Sequence, residues 1–294
     1  MILRRRKPFG SAAAAATGWG ESTFAEQAWD RSRSAATRWA IAGALLGALL
    51  GVVVFAPAAW LAQAVGSATG ERVLLADARG TLWSGSAVLV LTGGPGSRDA
   101  SALPGRLGWT LGWRRSAFDL LVTHACCLNG SVAVQLRPGF GRIEATLLPT
   151  AGWVGQWPSA WLGGLGTPFN TLQLGGVARL LSPGMTVEAV QGRWRMGGQA
   201  DLEMIGVSSR LSTLPTLGSY RLRVSGDAAN AGSAQLNLTT QEGALQLSGA
   251  GTAGAGPIRF RGEARAQAAD EAALSNLLNI IGRRDGARSV ISIG

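Results

Sequence analysis

Between Trp39 and Leu61 the chain runs for 23 residues, WAIAGALLGALLGVVVFAPAAWL, without a charged side chain. No other feature restricts the fold so strongly. As a helix this stretch is about 34 Å long, enough to cross the hydrocarbon core of a bilayer. Trp39 and Trp60 stand near its ends, where amphipathic indoles favour the headgroup boundary. Gly43, Gly47 and Gly51 recur every four residues and form a smooth strip on which a second helix can pack closely. The pattern predicts a transmembrane anchor over 39–61. A basic tail over 1–38, expected to be disordered apart from a short helix running into the anchor, precedes it, and a domain over 70–294 follows.

Orientation follows from charge. Arg4, Arg5, Arg6, Lys7, Arg31, Arg33 and Arg38 precede the span, and Ala62 to Gly70 after it carry none. A cationic flank stays in the cytoplasm, so the bulk of the chain is expected on the far side. Ala62-Gln63-Ala64 also fits a small-x-small cleavage site. The long apolar run and long preceding tail favour a retained anchor over a removable signal peptide. The net charge is +10, of which the tail supplies +4 from seven basic and three acidic residues. A basic exported domain suits anionic headgroups or an acidic partner. Nucleic acid is not expected, because no recognised binding motif accompanies the charge.

Beyond the anchor the texture changes. Short segments alternate apolar and polar residues between glycine-rich turns, which predicts antiparallel strands. They fall at 72–76, 81–91, 107–114, 118–123, 131–137, 142–147, 171–181, 186–190, 193–204, 219–225, 234–239, 244–249, 258–267 and 289–293. Arg137-Pro-Gly-Phe-Gly-Arg142 reads as a hairpin turn. Two helices interrupt the strands. Thr150 to Leu162 places Trp153, Trp157 and Trp161 four apart, aligned on one helix face and suited to plugging an open sheet end, although Pro158 weakens that helix. Asp270 to Gly282 carries Leu274, Leu277, Leu278 and Ile281 as one stripe, with Asp270 and Gly282 as caps. An offset of 111 residues superposes Trp83, Leu103-Pro104, Trp109 and Leu111 on Trp194, Leu214-Pro215, Tyr220 and Leu222. The expected architecture is mainly β: an elongated, twisted antiparallel sheet of two related modules, 70–165 and 170–294, with one or two short helices.

Catalytic and cofactor motifs fail on context. GAGTAG at Gly249–Gly254 matches GxGxxG, but a strand pattern follows it where a helix is needed, so it reads as a turn between strands. Lys7 is the sole lysine, which excludes a Walker loop. His124 is the sole histidine, and no serine sits in a GxSxG elbow. Asp201 and Glu203 read as a solvated strand face. Cys126 and Cys127 are adjacent; two free or partly buried thiols are the preferred reading, since a disulfide must distort the peptide between them. With His124 they lack the spacing of a zinc cage. No cofactor, metal or enzymatic activity is expected. More pointed are Arg193-Trp-Arg195, Arg221-Leu-Arg223 and Arg259-Phe-Arg261, in which period two puts both arginines of each pair on one face. Such a face is either solvated or a basic interaction surface for acidic loops or lipid headgroups.

The motif Gly80-Thr81-Leu82-Trp83-Ser84-Gly85 is followed by Leu107-Gly-Trp109, Leu217-Gly-Ser-Tyr220, Glu242-Gly-Ala-Leu-Gln-Leu-Ser-Gly249 and Phe260-Arg-Gly262-Glu-Ala. With the anchor before them and the Leu277-Leu-Asn-Ile-Ile-Gly282 helix after, these resemble protein N of the bacterial type II secretion (general secretory pathway) system from about residue 38 onward. The resemblance implies a non-enzymatic, single-span inner-membrane component whose periplasmic β domain touches other secretion proteins and supports export of folded exoproteins. Short GT-W-G segments also occur in AsmA-like envelope proteins, which makes lipid handling the alternative. The tail and the cysteine pair fall outside the resemblance.

Overall fold

The computed structural model describes residues 19–190, 193–226, 232–254 and 258–294. Two compact units are present, one up to Phe55 and one from Ala56 onward.

The first unit is helix α1 (Trp19–Val54), whose stretch Ala36–Val54 is long and apolar enough to cross a membrane. Leu45, Leu46, Leu49 and Leu50 are exposed, and Gly43, Gly47 and Gly51 have open space around them. Helical backbone extends back to Trp19, further than the short lead-in expected within the tail; residues 1–18 lie outside the described residues. At the other end the helix stops at Val54, short of the expected Leu61. Pro57 is the cause: it lacks an amide hydrogen and drives the residue before it out of the helical region. Trp60 and Leu61 belong instead to helix α2 (Ala58–Ala68) of the second unit.

The second unit is built on one antiparallel sheet of 16 strands among the described residues. The first half comprises β1 (Val73–Gly80), β2 (Ser84–Thr92), β3 (Ala100–Ala102), β4 (Leu107–Arg114), β5 (Ala117–His124), β6 (Ser131–Gly139), β7 (Arg142–Leu147) and β8 (Trp153–Pro158). The second half comprises β9 (Leu174–Val190), β10 (Arg193–Ser209), β11 (Gly218–Gly226), β12 (Ser233–Glu242), β13 (Leu245–Gly254), β14 (Arg259–Ala266), β15 (Arg283–Asp285) and β16 (Arg288–Ile293). Spatial order follows chain order, except that β15 lies outside β16, while β3 pairs with β2 and β8 with β9 alongside the main path. Only β1 and β15 end that path.

The strands at 171–181 and 186–190 expected separately are one strand, β9, which forms a long hairpin with β10. One end of β9 pairs with β7 and the other with β8, so this hairpin carries both halves of the sheet. A bulge interrupts it where Ser182 Oγ donates to Gln199 O at 2.7 Å. Gly198 sits there at φ +82, and a Cβ on it would lie 2.3 Å from Gly184 O.

The tryptophan-rich segment is not a helix. Trp153 and Trp157 lie on β8, and Pro158 ends that strand and opens the 3₁₀ turn Ser159–Leu165, which holds Trp161. Trp157 and Trp161 still meet edge to face at 5.8 Å. Pairing with β9 satisfies backbone groups that a helix broken by proline would leave open. A further short helix, α3 (Phe169–Leu172), leads into β9.

Helix α4 (Glu271–Ile281) forms as its stripe predicts: Leu274, Leu277 and Leu278 are fully buried against Val207, Leu217, Tyr220, Leu245 and Ala264. Its caps differ from expectation. Asp270 makes no side-chain capping bond, and Gly282 is extended at φ −164. A Cβ on Gly282 would meet Val290 O at 2.4 Å, so this glycine serves the close approach of β16. The end of the helix is tied down by Ser289 Oγ, which donates to Leu278 O at 2.6 Å.

GAGTAG is likewise a strand segment and not a turn, since Gly249–Gly254 lies in β13. Close neighbours explain its glycines: a Cβ on Gly249 would lie 2.5 Å from the Phe260 ring, and one on Gly254 would lie 2.9 Å from Gly232 O.

Candidate functional site: the anchor junction and the faces of the sheet

The Gly80–Gly85 motif is the turn between β1 and β2, and it receives the chain where the second unit begins. Leu82 N donates to Ala56 O at 2.8 Å, and Pro57 forms a β-bridge with Thr81. Within the turn, Thr81 N donates to Ser84 O at 2.8 Å and Ser84 N to Thr81 Oγ1 at 3.1 Å. Gly80 adopts φ +88, a left-handed conformation that glycine takes without a Cβ penalty. Gly85 admits the Trp109 indole: a Cβ there would stand 2.6 Å from Trp109 Cζ2 and 2.6 Å from Arg79 O. The indole nitrogen of buried Trp109 donates to Leu82 O at 3.2 Å. Around it pack Ala58 and Leu61 of α2 with Leu75, Ala87 and Leu120 of the sheet. Trp83 reaches Phe118 at 6.4 Å. The motif therefore clamps the first residues of the second unit to the sheet.

The predicted arginine pairs are only partly brought together. β10 and β11 are neighbours, but β14 lies three strands from β11, roughly 14 Å away at ordinary strand spacing. Register also interleaves acids: Asp201 faces Arg223, and Glu203 faces Arg221. Arg223 grips Asp201 with two bonds of 2.8 and 2.9 Å, and Arg221 Nη2 donates to Glu203 Oε1 at 2.5 Å. These are cross-strand ion pairs on the polar face, and the Arg223 guanidinium holds the Asp201 carboxyl below its ordinary pKa. Arg195, Arg259 and Arg261 have no acidic partner within 4 Å among the described residues; the Arg193 side chain lies outside them. Among the described residues of the predicted pairs, the arginines without an acid are thus Arg195 on β10 and, four strands away on β14, Arg259 with Arg261, beside a neutralised patch.

The opposite face is apolar across the strands. One row of cross-strand neighbours runs Leu111, Leu120, Val134, Leu147 and Met185, and the next runs Trp113, Phe118, Leu136, Ala145, Val187 and Met196. Partners in register share a face. Apart from exposed Trp113 these side chains are half-buried. A cleft of about 240 Å³ opens among Val187, Trp194, Met196, Val224 and Ala234. A second, larger and more polar cleft, about 770 Å³, lies between the 3₁₀ turn and the loop after β10, with Arg98, Asp99, Asn170, Ser208 and Arg210 on its walls.

Cys126 and Cys127 are joined in a disulfide, contrary to the preferred reading of two free thiols. His124 Nδ1 lies 3.3 Å from Cys126 Sγ, and burial pushes the imidazole pKa down. The three side chains are close enough to share a metal ion, but both sulfurs are committed to each other, and thiolate is the ligand a metal takes from cysteine.

These features define a class: a chain with one helix of membrane-spanning length, followed by a unit built on a single antiparallel sheet. Residues 71–291 match the type II secretion system (T2SS), protein N family, and the chain belongs to that family. It is a type II secretion component. No curated protein and no solved structure matches it.

Proposed function

We propose that Ala36–Val54 anchors this chain once in the bacterial inner membrane, with its N-terminus in the cytoplasm and the sheet in the periplasm. There it works by contact with other secretion proteins and not by catalysis. The observation that carries this is an apolar helix of membrane-spanning length with none of its span buried, in a chain of the T2SS protein N family. The arginine-rich charge on the N-terminal side of the apolar run supports the orientation. The glycine strip Gly43, Gly47 and Gly51 offers a packing surface in the membrane, and Arg195, Arg259 and Arg261 offer one outside it. Photo-crosslinkers at these six positions, in cells with the secretion machine intact, are expected to capture other secretion components. Deleting the chain should strand exoproteins in the periplasm. Normal secretion in the deletion overturns the reading.

The half-buried apolar face favours a second reading, in which the sheet holds an acyl chain in the manner of AsmA-like proteins. Phospholipid that stays with the purified chain after delipidation supports it, and a lipid-free preparation rules it out.

A further inference from the structure

We infer that one end of the sheet, made by its first three hairpin turns, rests on an anionic lipid surface, that of the membrane holding the anchor. The inference rests on reading α1 as a membrane span. Register places the β1–β2 turn, the β4–β5 turn (Arg114 facing Ala117) and the β6–β7 turn (Gly139 facing Arg142) at the same end of the sheet. Ala56, where the second unit begins, is hydrogen-bonded to Leu82 in the first of these turns. The residue following the anchor unit is therefore at this end, and the β6–β7 turn is about 20 Å along the edge from β2 at ordinary strand spacing. The same end continues through the β9–β10 turn, where Trp194 lies two strands from Ile143, and on to Ile258; the contact is assigned to the first three turns, those nearest Ala56.

The side chains at this end suit lipid headgroups. Phe140 is fully exposed at the tip of the β6–β7 turn between two glycines, and Trp113 and Ile143 are 61% and 59% exposed. Exposed apolar groups gathered at one end and rimmed by polar residues mark an interaction surface. Arginines surround them: Arg114, Arg115, Arg137 and Arg142. Three of these pair with Asp119, Glu144 and Glu188 at 3.3 to 3.7 Å. The pairs are layered, however. The arginine side chains are 83, 55 and 61% exposed, while their carboxylates are 32, 26 and 23% exposed. Cation outermost, acid set back and aromatic beside both is an arrangement that matches phosphate over acyl chain.

The test uses the full chain, reconstituted in vesicles of phosphatidylcholine with or without phosphatidylglycerol. A polarity-sensitive fluorophore is placed on Phe140→Cys, labelled without reductant, and in a second protein on Thr213→Cys at the opposite end of the sheet. The Phe140 probe should shift to the blue and be quenched by brominated acyl chains, more strongly with phosphatidylglycerol, while the Thr213 probe stays water-like. Arg114→Glu/Arg115→Glu/Arg142→Glu, all at exposed positions, should abolish the phosphatidylglycerol dependence. A blue shift without brominated-lipid quenching points to a protein occupant and overturns the inference, as does a water-like Phe140 probe. Alkaline carbonate extraction of the same vesicles separates the two readings. If the chain resists extraction and the probe is water-like, only the lipid contact falls; if the chain is extracted, the anchor reading falls and takes the contact with it.

Discussion

Gly85 shows how much one hydrogen atom in place of a methyl group can decide. Its missing Cβ is the space that the Trp109 ring occupies, and that ring in turn closes the turn that holds Ala56. Gly85→Ala should cost about 1–3 kcal/mol, the usual penalty for overpacking, read as a lower denaturation midpoint. Gly112→Ala on β4, where nothing lies within 4 Å, should leave the midpoint close to wild type. Asp201 gives a pH handle. Its carboxyl pKa is depressed when folded, chiefly by the hydrogen bonds from Arg223, so its contribution is full above the unfolded value of about 3.9. That contribution is lost as pH falls through the folded value, and Asp201→Asn should flatten the acid limb of a stability profile. For the cysteines, maleimide should label Cys126 and Cys127 only after reduction. The sequence marked Gly85 and Trp109 as parts of a motif but could not say that one fits inside the other, because that contact depends on register. It marked Asp201 and Glu203 as sharing a face without showing their partners, for the same reason.

At the scale of elements, periodicity carried far wherever one face is buried. Helix α4 was legible because Leu274, Leu277 and Leu278 fall on one stripe, and Leu277→Ala is expected to cost about 2–5 kcal/mol, with the loss seen in chemical denaturation. The β6–β7 hairpin was legible because glycines flank Phe140 where the chain turns, although Pro138 itself lies inside β6, paired with Ile143. The failures have physical causes. Trp153 and Trp157 imitate a helical spacing, yet the pairing of β8 with β9 outweighs local pattern. The bulge near Gly184 breaks the alternation in β9, which made one long strand read as two. Helix α2 hid inside the apolar run, where composition alone does not distinguish a span from a packed helix; Pro57 was the available signal.

Over the whole molecule, the family, the mainly β class and the candidate anchor were all legible, since each rests on long stretches or repeated texture. The basic face was legible only in part, because its charge balance depends on which strands become neighbours. If the first unit is retained in a bilayer as proposed, the native chain should stay in the membrane pellet after alkaline carbonate treatment. Recovery in the supernatant counts against the anchor. One further property lies in the two ends of the strand order. β15 offers three residues, Arg283 to Asp285, all charged, and these discourage any strand from joining there. At β1 much of the outward backbone is already taken: Val73 N and O are bonded to Thr69 Oγ1, and Asp77 O accepts from Arg106. As a building block the sheet is thus stoppered at both flanks, by charge on one and by its own side chains on the other, which disfavours growth by strand addition and leaves a partner the faces and the ends.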